Sequence, residues 1–340
     1  MPTMKEIADK AGVSSSTVEK VLNDRGGVSD TTKKKVLDVA KQMDYDPKAV
    51  AVSLAPERKG YKLGVIIFGG KDKLCEDIEA GMRDEIEKLS SQCEIKLIIR
   101  EIEVTLEAQL TALDDMAKED IDGLIFSPFI DDAVRERIND FDKKGIPVVT
   151  INSDIPDTKR LAYVGNDTYR AGRTAGAFLG MITNGQAEVG IITGSNKVSS
   201  HAERVQGFLD EVKKNYPDIA VETIRECKDE DYKCYETCQR IAIEHPTLTA
   251  FLFTAGGLYG GLKSLYQMTV RSNFTCITFD EISATKEFMA KGIITAAISQ
   301  EPYVEGTKSV EIVMRKLLHD KDPENEFYYT NINIKLPQNI

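Results

Sequence analysis

Several kinds of protein are excluded by what these 340 residues lack. No apolar run is long enough to span a bilayer. The opening Met-Pro-Thr-Met-Lys leads into a helix rather than an export signal, so the expected location is the cytoplasm. Basic residues are outnumbered, 44 against 55, which is the wrong balance for a general nucleic-acid coat. Three histidines are present (His201, His245, His319), none of them near Cys234 and Cys238, the one cysteine pair at a helical-turn spacing that would make half a metal site. The six cysteines are scattered and, in a cytosolic chain, stay thiols. Glycine-rich stretches at 69–70 and 256–261 fit neither the P-loop nor the dinucleotide spacing, and no Ser-His-acid ordering recurs at strand ends. No metal, cofactor or catalytic residue is expected. A nucleotide-dependent enzyme on a doubly wound sheet remains only as an alternative.

What is present begins at Thr3, placed to cap a first helix with Glu6 completing a capping box. Ile7, Ala8 and Ala11 recur at helical spacing, and Gly12 supplies a turn. Ser14 then caps a second helix whose Val18, Val21 and Leu22 pack inward. That packing leaves Ser15, Ser16, Glu19 and Lys20 outward, at the end that enters a major groove in a helix-turn-helix. Ser29 caps a third helix, with Val36, Leu37, Ala40 and Met43 as its predicted buried stripe. Asp46 and Pro47 open a fourth segment, a cap before a first-turn proline, which ends at Pro56. The pattern predicts a unit that reads DNA.

From Leu63 the chain changes to short apolar runs alternating with amphipathic helices, the mark of a parallel sheet covered on both faces. Runs at 63–68, 95–99, 123–126 and 147–151 form one set. Runs at 189–192, 221–224, 250–253, 276–279 and 294–298 form a second. Two sequential βα sets predict two similar lobes, each a doubly wound parallel sheet, behind an α-helical headpiece. Ligands bind beyond the carboxyl ends of such strands, so the residues just after each run are the candidates.

Residues 4–55 resemble the headpiece and hinge of the lac repressor and galactose repressor family. The resemblance rests on Ile7-Ala8, Ala11-Gly12-Val13-Ser14, Thr17-Val18, Val21-Leu22-Asn23, Val28-Ser29, Thr32, Val36-Leu37, Tyr45, Pro47, Ala49-Val50-Ala51 and Ser53-Leu54. It implies DNA contacts from Thr3, Ser14, Ser15, Ser16, Thr17, Lys20, Asn23 and Ser29, with Ala51 and Leu54 in a hinge helix. Leu54 stands at the position of the minor-groove wedge; the competing reading is a linker leucine packed on its own domain. Glu19 and Lys20 replace a common serine and arginine, and lysine lacks the planar fork that reads guanine bidentately. Val52 stands where a hinge arginine is common.

Residues 62–335 resemble the effector domain of the same family and ribose- and galactose-type sugar-binding proteins, a type I periplasmic-binding-protein-like core. The carrying segments are 146–154, 163–172, 202–208, 277–280 and 296–300. The resemblance implies a ligand held by Arg204, Asp280 and Gln300, with Asp72, Leu74, Asn152 and Ser153 beside them. Leu74 and Cys75 replace aromatic residues that stack on a pyranose, Ser153 replaces an arginine, and Ala255-Gly256 replaces an asparagine-aspartate pair. Arg204 with Asp280 also reads as an interlobe ion pair, and Asn152, Asp72 and Gln300 as strand-end turns or caps.

The implied organisation is a headpiece at 1–46, a hinge and linker at 47–60, and a two-lobed effector-binding and dimerisation domain at 61–340. The implied function is a sequence-specific, ligand-responsive transcriptional regulator, a repressor, controlled by a sugar or polyol. Its expected partners are palindromic operator DNA, the small effector and a second copy, as a homodimer or tetramer, with no membrane. A solute-binding protein for transport is the other alternative, and the headpiece counts against it.

Overall fold

The computed structural model describes residues 4–22, 27–43, 59–69, 73–268 and 274–340. They divide into two units, 1–59 and 60–340. The predicted contacts of Thr3, Asn23, Ala51, Leu54 and Asp72 fall outside the described residues.

In the first unit, α1 (Met4–Ala11), α2 (Ser15–Leu22) and α3 (Asp30–Gln42) enclose a small core of Ile7, Ala8, Ala11, Val18, Val21, Val36, Val39 and Ala40. The α1–α2 turn needs Gly12, whose φ of +63° places it in the left-handed region. Ser14 Oγ accepts the N–H of Thr17 at 3.2 Å, starting α2, and Ser29 Oγ accepts that of Thr32 at 3.4 Å, starting α3. Leu37 was expected inside but is 44% exposed, and Val39 takes its place. The inward face of α3 follows Val36, Val39, Ala40 and Met43, the i, i+3, i+4, i+7 series, and Leu37 lies beside that series.

The second unit contains two six-stranded sheets. The first joins β1 (Gly60–Phe68), β2 (Glu94–Ile102), β3 (Gly123–Phe126), β4 (Val148–Ile151), β5 (Ala162–Asn166) and β11 (Phe327–Thr330), in the order β2-β1-β3-β4-β5-β11 and parallel throughout. On one face lie α4 (Lys73–Leu89) and α12 (Pro302–His319). On the other lie α5 (Leu106–Met116) and α6 (Asp132–Lys143). The second sheet joins β6 (Ala187–Thr193), β7 (Ile219–Glu226), β8 (Ala250–Phe253), β9 (Thr275–Phe279), β10 (Ala296–Ser299) and β12 (Asn333–Lys335), in the order β7-β6-β8-β9-β10-β12. Here β12 runs antiparallel to β10. Its faces are covered by α7 (Thr168–Ile182) with α8 (Ser199–Asn215), and by α9 (Asp231–Glu244), α10 (Leu258–Met268) and α11 (Ser283–Ala290).

The lobes are not sequential, as the run pattern suggested, but interleaved. The chain passes from the first lobe to the second between Asn166 and Thr168, returns between Ser299 and Pro302, and passes back between Thr330 and Asn333. The missed elements explain the error. β11 and β12 are short edge strands with mostly half-exposed or exposed residues, β11 having only the three aromatics Phe327, Tyr328 and Tyr329 and β12 only Ile334, and β5 is a five-residue strand containing Gly165.

Close helix packing fixes the second lobe. A Cβ on Gly172 of α7 would lie 2.1 Å from the Arg204 carbonyl oxygen of α8, and one on Gly207 of α8 would lie 2.0 Å from the Tyr169 carbonyl of α7. The backbone under Arg204 therefore rests directly on α7.

Candidate functional site

The outward face of α2 carries Ser15, Ser16, Glu19 and Lys20, all exposed. Ser14 Oγ lies 2.9 Å from Ser16 Oγ and 2.8 Å from Thr17 Oγ1, and Ser29 Oγ lies 3.1 Å from Thr31 Oγ1 and 2.9 Å from Thr32 Oγ1. Hydroxyls thus crown two helix amino termini, where the backbone N–H groups and the dipole suit phosphate. Ser14, Ser15, Ser16, Thr17 and Lys20 come together on one helix, and Ser29 opens the next.

In the larger unit a cleft of about 350 Å³ lies between the lobes. The first lobe contributes Phe68, Leu74, Val104 and Asn152. The second contributes Val198, Ser200, His201, Arg204, Asp229, Phe279, Asp280 and Ile282. Arg204 is buried in the first half of α8, lays its guanidinium over the Phe279 ring at 4.4 Å, and donates to the Thr254 carbonyl at 2.9 Å. Its Nη1 stands 3.5 Å from Asp280 Oδ2. Both residues belong to the second lobe, so their pairing is within that lobe rather than between lobes. Asp280 follows β9 with φ of +68° and Asn152 follows β4 with φ of +59°. The Gln300 amide donates to Asp280 Oδ1 at 2.8 Å and reaches Asn152 Oδ1 at 3.4 Å. Gln300 also lines a smaller adjoining chamber of about 100 Å³ with Leu74, Asp280 and Ile282.

Ser153 lies away from the cleft lining. It is buried, and its hydroxyl pairs with Ser200 at 2.8 Å, while Ser199 Oγ accepts the Asp154 N–H at 2.9 Å. The Ile130 N–H donates to the Lys197 carbonyl at 2.7 Å, and Lys197 Nζ meets Asp131 at 3.3 Å. These contacts join the two lobes along one rim. Ser127 and Phe129, also placed at a strand end by the sequence, turn away and hold Gln109 instead.

Sequence reading overlooked Asp229, Ser199, Ser200 and Glu305. Asp229 lies in the stretch 227–231 that follows the carboxyl end of β7, an end the sequence places too early. Its Oδ1 accepts the Gly256 N–H at 2.8 Å and lies 3.7 Å from His201 Nε2. Burial lowers the pKa of His201, and Asp229 opposes that only in part. Glu305, on the first turn of α12, is fully buried, and among the described residues neither oxygen has a close hydrogen-bond partner, the Asn152 backbone acting on it last and least. Desolvation and then Asp280 push its pKa up to about 8, against the pull of Arg204. Among the described residues, several buried polar atoms around the cleft have no hydrogen-bond partner, including His201 Nδ1, Arg204 Nε, Asp229 Oδ2 and Gln300 Oε1. Such atoms are costly unless a polar ligand meets them.

Two cysteines support the cleft wall: Cys227 Sγ donates to the Gly256 carbonyl at 3.5 Å and Cys75 Sγ to the Phe68 carbonyl at 3.1 Å. All six are free and buried, and among the described residues no group of three or more His, Cys, Asp or Glu is disposed to hold a metal ion. No described helix is long and apolar enough to cross a membrane.

Residues 63–321 match the periplasmic binding protein domain model, and residues 3–48 match that of bacterial regulatory proteins, lacI family. A similar curated protein is the HTH-type transcriptional repressor PurR of Actinobacillus pleuropneumoniae serotype 3 (strain JL03), 26% identical over 324 residues, covering 94% of this chain and 93% of that one. Among solved structures, the glucose-galactose binding protein GanP of Geobacillus stearothermophilus superposes with a TM-score of 0.77 at 28% identity, over 83% of this chain and 99% of that one. A putative LacI transcriptional regulator from Bacteroides fragilis shares the fold, with a TM-score of 0.74 at 19% identity, over 83% of this chain and 98% of that one.

Proposed function

Because this chain belongs to the lacI family of bacterial regulatory proteins, with a periplasmic binding protein domain as its larger part, we propose that it is a cytoplasmic, homodimeric repressor whose hold on palindromic operator DNA is set by a small sugar or polyol. The carrying observation is one chain that joins an exposed α2 face of Ser15, Ser16 and Lys20 to an interlobe cleft whose buried polar atoms want partners. Arg204, Asp280, Gln300 and Asn152 hold the ligand hydroxyls, with Leu74 against its apolar edge; Ser153 contributes by tying the lobes. The similar fold of a glucose-galactose binding protein supports that ligand class. Its role is binding rather than catalysis.

The coupling is linkage. A ligand that fits one arrangement of the lobes better than another shifts their populations, and so changes the relation between two headpieces on their half-sites. Two headpieces are needed because one helix in one groove discriminates too little. The test is a titration of full-length protein on a palindromic duplex and on a scrambled one, with and without a panel of sugars and polyols. Selective retention of the palindrome, altered by one of the panel, is the expected result. Equal binding to both duplexes would overturn the regulatory reading.

A further inference from the structure

Among the described residues, the charges that line the cleft do not balance. Among the described residues lining it are three carboxylates, Asp229, Asp231 and Asp280, and one guanidinium, Arg204. Arg204 stands against Asp280. Asp231 is exposed, and its Oδ1 accepts the Gly260 N–H at 3.1 Å near the start of α10. Asp229 is left over. Its side chain is 9% exposed, its Oδ2 is buried without a partner among the described residues, and 3.7 Å from its Oδ1 stands the His201 imidazole, whose burial favours the neutral form.

The surroundings of that carboxylate are built rather than incidental. Lys228 and Asp229 are consecutive non-glycine residues with φ of +54° and +60°, a conformation that has to be held in place by its surroundings. Glycines flank the carboxylate on two sides. A Cβ at Gly194 would lie 2.5 Å from Asp229 Oδ2 and 2.4 Å from His201 Nδ1, and one at Gly256 would lie 3.1 Å from Asp229 Oδ1. Gln300 Oε1 adds a further acceptor without a donor. The cleft therefore asks its ligand for donors and positive charge at Asp229 and Gln300, and for one acceptor at Arg204 Nε, while its carboxylates repel anions.

Resting on the sugar or polyol reading above, we propose that the effector is an amine-bearing polyhydroxylated compound, an amino sugar or amino polyol, whose ammonium is seated at Asp229 beside His201. The hydroxyls then face Arg204, Asp280, Gln300 and Asn152, and phosphorylated or carboxylated sugars are excluded.

Calorimetry on the full-length protein, at one pH near neutral and one salt concentration, tests this with D-glucosamine against D-glucose, D-galactosamine against D-galactose, and D-glucuronate and D-glucose 6-phosphate as anions. At least one amino sugar should bind tenfold or more tighter than its neutral parent, and the anions should bind weakest. In Asp229→Asn the amino and neutral members of the pair should come within about twofold of each other. The wild-type comparison decides by itself if that variant does not fold. Neutral sugars binding as tightly as their amines, or an anion binding tightest, overturns the ammonium site while leaving the sugar reading standing. No binding by any of the panel overturns both.

Discussion

Asn152 and Asp280 occupy equivalent places in the two lobes. Each follows the fourth strand of its sheet, counted from β2 and from β7, each has a left-handed backbone, and one Gln300 amide reaches both. In both cases the residue's N–H continues the ladder, to Val164 at 3.3 Å and to Ile298 at 2.9 Å, so the turn falls just after the last sheet bond. A carboxylate in place of that amide would stand against Asp280. Gln300→Glu should lower ligand affinity by at least about tenfold, roughly 1.4 kcal/mol, while operator binding without ligand is kept; calorimetry beside an operator titration measures both.

Arg204→Ala leaves Asp280 without its guanidinium in a largely desolvated wall. The expected loss of ligand affinity is about 2–5 kcal/mol, with the operator still bound but no longer responsive. Unchanged affinity in calorimetry would put the ligand elsewhere.

On the DNA side, Lys20→Ala should relax preference at particular half-site positions by about 1–3 kcal/mol. Competition among single-base operator variants at fixed salt distinguishes this from a phosphate contact, for which every sequence, random DNA included, would weaken alike.

Glu305 ties stability to pH. Its folded pKa of about 8 lies above the ordinary glutamate value, so the folded state holds a proton that the unfolded chain has released. Its contribution is complete below about pH 4.3 and is lost as pH rises through about 8, at about 1.4 kcal/mol per pH unit inside that window. Denaturant titrations across the range should show the decline in the wild type and a flatter profile in Glu305→Gln. Parallel profiles would refute the assignment.

Gly172→Ala should destabilise the larger unit by about 1–3 kcal/mol, the usual scale of overpacking. Its methyl group would meet the Arg204 carbonyl, so the thermal midpoint should fall and ligand affinity with it, through displacement of Arg204.

Much of this was legible in the sequence, and the reasons differ by region. Apolar spacing reported α1 to α3 well, and the hydroxyl caps Ser14 and Ser29 reported the starts of α2 and α3, because those signals are local. The error at Leu37 is a matter of phase, since Val36 and Leu37 are equally apolar and only the packing partner selects between their faces. In the larger unit most buried strands announced themselves as apolar runs, whereas β5, interrupted by Gly165, and the short edge strands β11 and β12 did not. Arg204, Asp280 and Gln300, which stand at the cleft and its adjoining chamber, were named through likeness to a known pattern, with strand-end placement adding to it for Asp280 and Gln300. Asp229 escaped because β7 outlasts its apolar run: Arg225 and Glu226 are exposed strand residues that read as loop. Glu305 has no local signal; its burial arises only when α12 returns to the first lobe.

That return also orders the birth of the molecule. A ribosome releases residues 1–59 first, so the helices of the DNA-reading unit emerge with all their core partners already made. The first sheet is less fortunate. One apolar face, with Leu63, Val65, Ile125 and Val149, waits for Val310, Val313 and Met314 of α12, and its edge waits for β11. Nearly the whole second lobe must be synthesised before that face is covered, which leaves a long interval of exposed hydrophobic surface on the nascent chain. Chains cut short before residue 302 should therefore be sticky, protease-sensitive products rather than shorter regulators.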